Sequence, residues 1–513
     1  MNRRELLKST ALLAAAGAHP QHLLAVLPGQ PQNSDAQSNR RLDQGPFDID
    51  QDEGWRTILF TSPSEKPVRN PGLGLVGYVW EENGPSVAAR EGRESVAQHV
   101  ENLASLPFVD VLYIRCDWKH VQSEPGRLNF APFWQLALEA AERHNLKVAF
   151  RVQLSNPEFQ PAELALPQFL IPRVPLVKIG RIPRKPDAQY LEPRYDDPAF
   201  QSAFNELNDL LAAKFDGHPL IEWVDLMQYG FWGEGHTSNF PNPFPDPAVA
   251  KKTFLQMTTR QLESWKHTPL AVNTQPDISN VGNRAVIDMA KRAGAWLRSD
   301  SIIVEESVQI EELANRPPTL AAILEDGALR KYDISKIKVD SAGVNMMENY
   351  MLHVLDIRAN YWGLWTESAN LRQYDEKYPR GFSRLRASLG YRLRPAWVWQ
   401  RKRNGTFELI VGIANRGVAG VPGILWVQIQ NSDRELKMRG ALDPGHPLGG
   451  GIRLCSFLLP KDFAAPVTLS VELETRPGIL KSVSWSCEQP VNSDGSVTVQ
   501  LQAENAPGWR KGV

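Results

Sequence analysis

Short apolar runs alternate with amphipathic stretches along the first three quarters of this chain. Residues 109–114 (VDVLYI) and 147–152 (KVAFRV) have the length and β-branched content of buried strands. Between them, apolar residues recur at helical spacing and predict a helix from about residue 131 to 144. Strand, helix and strand with no hairpin turn between them is the βαβ pattern of a parallel sheet.

The same alternation continues until eight strands are predicted. The predicted strands are 72–79, 109–114, 147–152, 221–226, 270–274, 296–302, 336–341 and 360–366. Residues 310–329, just before the seventh, are predicted to be mostly helical despite Pro317 and Pro318. Eight strands alternating with helices are typical of a (β/α)₈ TIM barrel, here over residues 66–387. From residue 388 to 513, apolar and polar residues alternate between glycine turns, which predicts a C-terminal antiparallel β-sandwich.

The N-terminus predicts export. Arg3 and Arg4 precede a short Ala/Leu-rich run, so residues 1–30 resemble a twin-arginine signal peptide and a periplasmic or secreted protein is expected. Residues 31–65 are polar and read as a disordered linker. No other segment is apolar enough to span a membrane, so no stable insertion is expected after signal cleavage. Residues 157–196, rich in proline and basic residues, are either a loop covering a cleft or a surface insertion.

Composition narrows the choice of partner. The net charge of -1 provides no basic field to hold nucleic acid. The 15 tryptophans slightly favour a carbohydrate ligand, because indole rings stack on sugars. No Cys/His spacing resembles a zinc site, and no metal or organic cofactor is predicted. Cys455 and Cys487 are a possible disulfide pair in an oxidising compartment.

The stretch 221–236 (IEWVDLMQYGFWGEGH) is the strongest candidate for chemistry. It reads as a buried strand that breaks into an aromatic, glycine-rich turn carrying Glu234 and His236. In a (β/α)₈ barrel, chemistry lies where the strands end and the loops begin. Polar or aromatic residues at predicted strand ends are candidates for substrate binding; they are Arg115, Asp117, Trp118, Arg151, Trp232, His236, Asn273 and Trp365.

Two segments resemble glycoside hydrolases of clan A. The segment EPGRLNFAPFWQLALEAAERHNLKVAFRV is similar to the region between their second and third strands. The turn GFWGEGH is similar to the Gly-x-Trp-Gly-Glu-Trp-His turn of uncharacterised barrel families related to β-galactosidases. The resemblance covers about residues 70–430 and implies an oligosaccharide or polysaccharide substrate cleaved by a carboxylate pair.

The resemblance also implies roles for individual residues. A glutamate that ends strand four is the general acid/base, which maps onto Glu234; apolar neighbours would then have to raise its pKa. The nucleophile should end strand seven, which leaves Glu348 or Asp340 as candidates. Rival carboxylates are Glu305, Glu306 and Glu367.

Two alternatives remain open from the sequence. Gly233 stands where clan A has asparagine, which favours a carbohydrate-binding barrel that has lost turnover. A different hydrolytic or lyase reaction on an acidic sugar would instead use Arg115, Arg151 and His236. The sugar, the linkage, the stereochemical outcome and the oligomeric state are not determined by the sequence.

Overall fold

The computed structural model describes most of the chain beyond the N-terminal segment. The described residues are 55–160, 162–179, 190–236, 246–277, 280–300, 307–326, 346–433, 436–461, 463 and 465–502. The predicted signal peptide, most of the predicted linker and Asp340, Glu305 and Glu306 therefore lie outside the described residues.

Eight parallel strands close into a barrel, the arrangement of a TIM barrel. In order around the barrel they are β2 (Gly74–Trp80), β3 (Val111–Asp117), β4 (Lys147–Gln153), β7 (Ile221–Asp225), β8 (Leu270–Asn273), β9 (Trp296–Ser299), β10 (Ala322–Glu325) and β11 (Tyr361–Leu364). The predicted closed parallel barrel is confirmed. The segment after the third barrel strand carries a small antiparallel hairpin of β5 (Leu176–Ile179) and β6 (Tyr190–Pro193).

Helices cover the outside of the barrel. They are α1 (Val87–Arg90), α2 (Val96–Ala104), α3 (Pro132–Arg143), α4 (Pro198–Phe215), α5 (Pro247–Ser264), α6 (Asn283–Arg292), α7 (Ser307–Ala314), α8 (Met346–Asp356), α9 (Ser368–Leu371), α10 (Tyr374–Lys377) and α11 (Pro379–Ser388), with 3₁₀ turns at Trp118–His120 and Ile171–Arg173. Both α4 and α5 begin with an Asp-Pro pair, in which the aspartate accepts backbone N–H bonds and proline occupies the first turn. None of the described helices is both long and apolar enough to cross a bilayer.

Side chains alternate along each barrel strand between the helices outside and the barrel axis inside. The inward set forms its own apolar cluster, which includes Tyr113, Ala149, Trp223, Ala271 and Ile323. The residue two positions further toward the carboxyl end of a strand faces the barrel axis as well. In β3, β4, β7, β9 and β10 this position carries a charged side chain, and in β8 it carries Asn273; together they form the mouth of the barrel.

The seventh strand was predicted in the wrong place. The structure uses Ala322–Glu325 (AILE), inside a segment predicted to be helical, whereas residues 336–341 lie outside the described residues. Three apolar residues followed by one glutamate are too few to show a periodicity that separates a buried strand from a buried helix. Pairing with β9 and β11 on either side decides the matter, since each partner supplies a ladder of backbone hydrogen bonds.

The predicted antiparallel sheets follow the barrel. One sheet has the order β1 (Arg56–Phe60), β12 (Leu393–Arg403), β13 (Thr406–Asn415) and β16 (Ile452–Leu458). The other contains β15 (Lys437–Ala441), β14 (Ile424–Asn431), β17 (Val467–Arg476) and β18 (Ile479–Val483), with β19 (Val497–Val499) paired to β17. Residues of both sheets share one buried apolar cluster. Because β1 pairs with β12, residues 56–60 are a strand rather than the disordered linker that was predicted.

The possible disulfide between Cys455 and Cys487 is not formed, because both residues are free thiols. Cys455 lies in β16 with its sulfur directed at Gly440, where an added Cβ would come within 2.6 Å of it. The Sγ of Cys487 instead lies 3.8 Å from the carbonyl oxygen of Gln489. The two sulfurs therefore have different neighbours.

Candidate active site

Charged side chains converge at the carboxyl ends of the barrel strands. Arg115 from β3, Arg151 from β4, Asp225 from β7, Arg298 from β9 and Glu325 from β10 are all buried there. Each lies two residues beyond a member of the inward-facing apolar cluster. A closed parallel barrel brings these five strand ends to one mouth, although they are spread over 210 residues of sequence.

Arg115 joins three carboxylates. Its Nη1 donates to Glu234 Oε1 at 2.7 Å, and its Nη2 donates to Glu82 Oε2 at 2.6 Å. Glu325 Oε1 lies 3.4 Å from the same Nη2. Because two of these contacts meet at one nitrogen, the Glu82 and Glu325 oxygens are no more than about 6 Å apart.

The two neighbouring arginines are paired in the same way. Arg151 donates to Glu234 and lies 3.1 Å from Asp225. Arg298 donates to Glu325 and lies 3.5 Å from Asp225. Each of the three guanidiniums in the mouth therefore faces at least two carboxylates, as burial of a charge requires.

Glu234 is carried by a tight turn after β7. Gly230, Gly233 and Gly235 have φ values of 86°, 66° and 79°, and Trp232 itself has φ 57°. A Cβ at Gly230 would lie 2.2 Å from the carbonyl oxygen of His236, so glycine is required there. The aromatic, glycine-rich turn recognised in the sequence thus folds back on itself and directs Glu234 at the arginines.

His236 lies on the outer side of Glu234. Its Nε2 is 3.2 Å from Glu234 Oε2 and 2.9 Å from Asp300 Oδ2. Burial would lower the pKa of His236, but its hydrogen bonds to Asp300 and Glu234 raise that pKa to about 10. Side-chain exposures of 21% for His236 and 17% for Asp300, against 2% for Glu234, make this pair the part of the site nearer to solvent.

The electrostatics differ from the expectation for Glu234. Burial alone would raise the pKa of this carboxyl, but the charges of Arg151 and Arg115, with help from His236, hold it well below its usual range. Apolar neighbours therefore do not keep Glu234 protonated. At Glu82, burial outweighs the charge of Arg115 and raises the pKa to about 8. Burial likewise raises the pKa of Glu325, against the charges of Arg115 and Arg298.

Several predicted binding residues do lie at this mouth. Trp365 places its ring 4.8 Å from the Arg115 guanidinium and stacks on Tyr78. Trp232 is half-buried and packs edge-on against His236, with ring centroids 5.3 Å apart. Both side-chain polar atoms of Asn273 are buried without a hydrogen-bond partner among the described residues.

Other predicted site residues have different surroundings. Trp118 is buried in the outer apolar cluster and donates to Gln122, so it packs between barrel and helices rather than facing the mouth. Asp117 accepts hydrogen bonds from Gln153 and Asn156 at 3.1 and 3.0 Å, in a buried polar cluster. Burial raises the pKa of Asp117 to about 6.

Glu348 lies in the helical layer. Its Oε1 accepts the backbone N–H groups of Arg380 and Gly381 at 3.2 and 3.1 Å, in the first turn of α11. A carboxylate is favoured at a helix N-terminus by the helix dipole, which is sufficient reason for its position. Glu367, another rival for the nucleophile, accepts the N–H of Ala88 at 2.9 Å.

Sequence reasoning missed five charged members of the site, which are Glu82, Asp225, Arg298, Asp300 and Glu325. Glu325 was missed because the seventh strand was misplaced by about 14 residues. Asp225 and Arg298 lie inside strands that were predicted, so counting alternate positions from an inward residue would have found them.

Comparisons with known proteins give only distant similarities. No protein-family model matches the chain, and no curated protein sequence matches it. Among solved structures, the catalytic domain of a β-amylase from Paenibacillus polymyxa is 10% identical, with 61% of this chain and 97% of that chain covered and a TM-score of 0.40. Endo-glycoceramidase II from a Rhodococcus species is 12% identical, covering 78% and 100% of the two chains with a TM-score of 0.36.

A third similar structure is a β-L-arabinopyranosidase from Geobacillus stearothermophilus, at 12% identity, with 81% and 98% of the two chains covered and a TM-score of 0.34. All three similar proteins are glycoside hydrolases. At such low TM-scores these similarities carry no argument about activity, and the barrel assignment rests on the strand order of this chain.

Proposed function

We propose that this chain is a glycoside hydrolase whose chemistry takes place at the barrel mouth. The observation that carries the proposal is the convergence of Glu82, Glu234 and Glu325 on the single guanidinium of Arg115. Glycosidic bond cleavage requires two carboxyl groups in different protonation states, within about 5 to 9.5 Å of each other. Indole rings beside the cluster, from Trp365 and Trp232, offer surfaces on which a sugar can stack.

Glu325 is the proposed nucleophile. It ends the seventh barrel strand, the position that the resemblance to clan A assigns to this role. Burial raises the pKa of Glu325, and the charges of Arg115 and Arg298 oppose that effect by favouring the ionised carboxylate that attack on an anomeric carbon requires. This assignment replaces Asp340 and Glu348, which the misplaced strand had suggested.

Two carboxyl groups compete for the role of proton donor. Glu234 has the position after strand four, whereas Glu82 has the protonation state, since its pKa is about 8. We therefore propose Glu82 as the acid, with the ionised Glu234 holding Arg115, Arg151 and His236 in place. The separation of at most about 6 Å between Glu82 and Glu325 is compatible with a retaining reaction.

In that reaction, Glu325 bonds to the anomeric carbon while the Glu82 proton passes to the departing glycosidic oxygen. Water, deprotonated by Glu82, then displaces Glu325 from the sugar and restores both groups. The test is hydrolysis of aryl glycosides with good and poor leaving groups. Loss of the acid should impair the poor leaving group far more than the good one, because a good leaving group departs without a proton.

Three variants distinguish the roles. Glu325→Gln should abolish hydrolysis of both substrates, and Glu82→Gln should show the leaving-group difference. If Glu234→Gln shows that difference instead, Glu234 is the acid. Glu348→Gln is the matched control in the helical layer and should retain full activity. Undiminished hydrolysis by Glu325→Gln would overturn the assignment.

A carbohydrate-binding barrel without turnover is the second candidate. The observation that favours it is that Glu82, Glu234 and Glu325 are only 5%, 2% and 0% exposed and already face arginines. This function predicts that calorimetry detects oligosaccharide binding and that no aryl glycoside is hydrolysed.

The alternative reaction on an acidic sugar is less well supported. Arg115 and Arg151 are already paired with carboxylates, which leaves them poorly suited to hold an acidic sugar.

Export by the twin-arginine pathway is part of the proposal. It rests on the sequence of residues 1–30 alone. The expected result is that the chain reaches the periplasm, and that Arg3→Lys/Arg4→Lys retains it in the cytoplasm. Cell fractionation with an antibody to the chain measures this.

A further inference from the structure

A second arrangement in the mouth shares Glu234 with the three arginine-bound carboxylates but adds His236 and Asp300. Glu234, His236 and Asp300 each offer one ligand atom within 4.8 Å of the others. Two of the separations are known individually, 3.2 Å from His236 Nε2 to Glu234 Oε2 and 2.9 Å from the same nitrogen to Asp300 Oδ2. One imidazole nitrogen thus faces two carboxylate oxygens.

These separations match those between neighbouring ligands of a metal ion. At bond lengths of about 2.0 to 2.2 Å, adjacent ligands of a tetrahedral or octahedral ion lie roughly 2.8 to 3.6 Å apart. One imidazole and two carboxylates is a mixed nitrogen and oxygen set, which suits first-row divalent ions better than Mg²⁺ or Ca²⁺. Three protein ligands leave at least one position for water or a substrate oxygen.

The surroundings hold the three ligands in place. Glu234 uses its other oxygen, Oε1, for Arg115 and Arg151, so Oε2 is directed at His236. Gln275 Nε2 donates to Asp300 Oδ2 at 3.2 Å, as an outer-shell partner would. The arginines also oppose a nearby cation, so affinity should be lower than in a site without them.

A second observation also indicates a ligand in this part of the mouth. Asn273 ends β8, the barrel strand that leads to Gln275, and shares the inward face with Ala271. The residue is 2% exposed, and its Nδ2 and Oδ1 have no partner among the described residues. A buried amide normally has its polar atoms paired, so its free atoms suit a bound molecule or metal-bound water.

We propose that Glu234, His236 and Asp300 form a binding site for a divalent first-row transition metal, with Zn²⁺ bound more tightly than Mn²⁺. The ion takes the place of the proton between His236 Nε2 and the two carboxylates, and that proton leaves to solvent. This site goes beyond the proposed hydrolysis, which uses no metal. No spacing in the sequence predicted it, because Asp300 lies 64 residues from His236.

The test is isothermal titration calorimetry of the full chain, stripped with a chelator, against ZnCl₂, MnCl₂ and MgCl₂ without any sugar present. The wild type should bind one Zn²⁺ and, more weakly, one Mn²⁺ at this site, in the order that divalent ions follow. MgCl₂ should show no binding to Glu234, His236 and Asp300 in the same titration. Asp300→Asn and His236→Gln should each weaken Zn²⁺ binding at least about tenfold.

The matched control is His144→Gln. His144 Nε2 also lies beside a carboxylate, at 2.7 Å from Glu101, but with no third ligand described there. This variant should bind Zn²⁺ as the wild type does. Zinc binding that is equal in the wild type, Asp300→Asn and His236→Gln would overturn the proposal, as would the absence of any zinc binding by the wild type.

A crystal of the zinc-soaked protein gives a second readout that does not depend on the stability of the variants. The anomalous signal at the zinc edge should peak between the three ligand atoms. A peak elsewhere, with none at this position, would also overturn the proposal. Neither measurement involves hydrolysis, so failure of the proposed enzymatic function would leave both results interpretable.

Discussion

Replacing Arg115 by methionine tests whether the charge network at the mouth is coupled as the contacts indicate. Methionine keeps much of the length of the arginine side chain and removes its charge. Glu82, Glu234 and Glu325 would then face one another without the guanidinium that now lies between them. Arg115 itself is buried, so solvent cannot take over its role.

The magnitude follows from that burial. Removing one partner of a buried ion pair costs about 3 to 5 kcal/mol of unfolding free energy, because a charge stays behind unpaired. The surface pair Arg143–Glu101 has almost the same separation, 2.8 Å against 2.7 Å for Arg115–Glu234, but its side chains are 55% and 48% exposed. An exposed pair contributes only about 0 to 1 kcal/mol, so Arg143→Met is a matched control.

The stability difference between Arg115→Met and the wild type should also depend on pH. Burial already raises the pKa values of Glu82 and Glu325, and without Arg115 these values rise further, so these two groups bind protons more readily in the folded variant than in the unfolded chain. Its stability is then greatest at low pH and is lost as pH rises through those folded pKa values. The deficit of Arg115→Met relative to the wild type should therefore shrink between pH 8 and pH 5.

The assay is urea denaturation followed by tryptophan fluorescence, which the 15 tryptophans of the chain make sensitive. The double variant Arg115→Met/Glu325→Gln should recover part of the loss, since one of the unpaired charges is removed. A loss no larger for Arg115→Met than for Arg143→Met, at every pH, would refute the reasoning. The network would then not be electrostatically coupled.

Three further outcomes are expected. Burial raises the pKa of Glu192 to about 7. The free energy of unfolding of the wild type should therefore fall by up to about 3 kcal/mol as pH rises through 7. In thermal scans from pH 5 to 8, Glu192→Gln should not show that fall. Gly230→Ala should destabilise the chain by at least about 1 to 2 kcal/mol in urea, because φ is 86° and the new Cβ would meet the His236 carbonyl; wild-type stability would contradict the turn geometry. Lys481→Met leaves Glu222 of β7 buried without the cation that now lies 2.9 Å away, and should lower the free energy of unfolding by about 3 kcal/mol. Unchanged stability in the urea assay would mean that this contact between β18 and the barrel does not stabilise the fold.

Much of the barrel could be predicted from the sequence, because its information is local. The strands β3, β4 and β7 are runs whose apolar pattern is visible without any partner, and the helices between them show their own period. The turn that carries Glu234 was recognisable for a similar reason. Gly230, Gly233 and Gly235 adopt positive φ values that few other residue types tolerate, so their close spacing in the sequence indicates a tight turn.

The seventh strand depended on tertiary structure. Ala322–Glu325 is too short and too uniformly buried to show a period, and only its neighbours β9 and β11 make it a strand. Its position decides that Glu325, rather than Asp340 or Glu348, stands at the mouth. A single misplaced strand therefore changed the candidate nucleophile.

The sequence by itself determined which residues are capable of chemistry, including Arg115, Arg151, Glu234 and His236. Only the tertiary structure decided their ionisation, because a pKa depends on which charges lie within a few ångströms rather than on neighbours in sequence. Glu234 was expected to be protonated beside apolar residues and instead faces two guanidiniums. The closed barrel brings those arginines, 119 and 83 residues away along the chain, to one carboxylate.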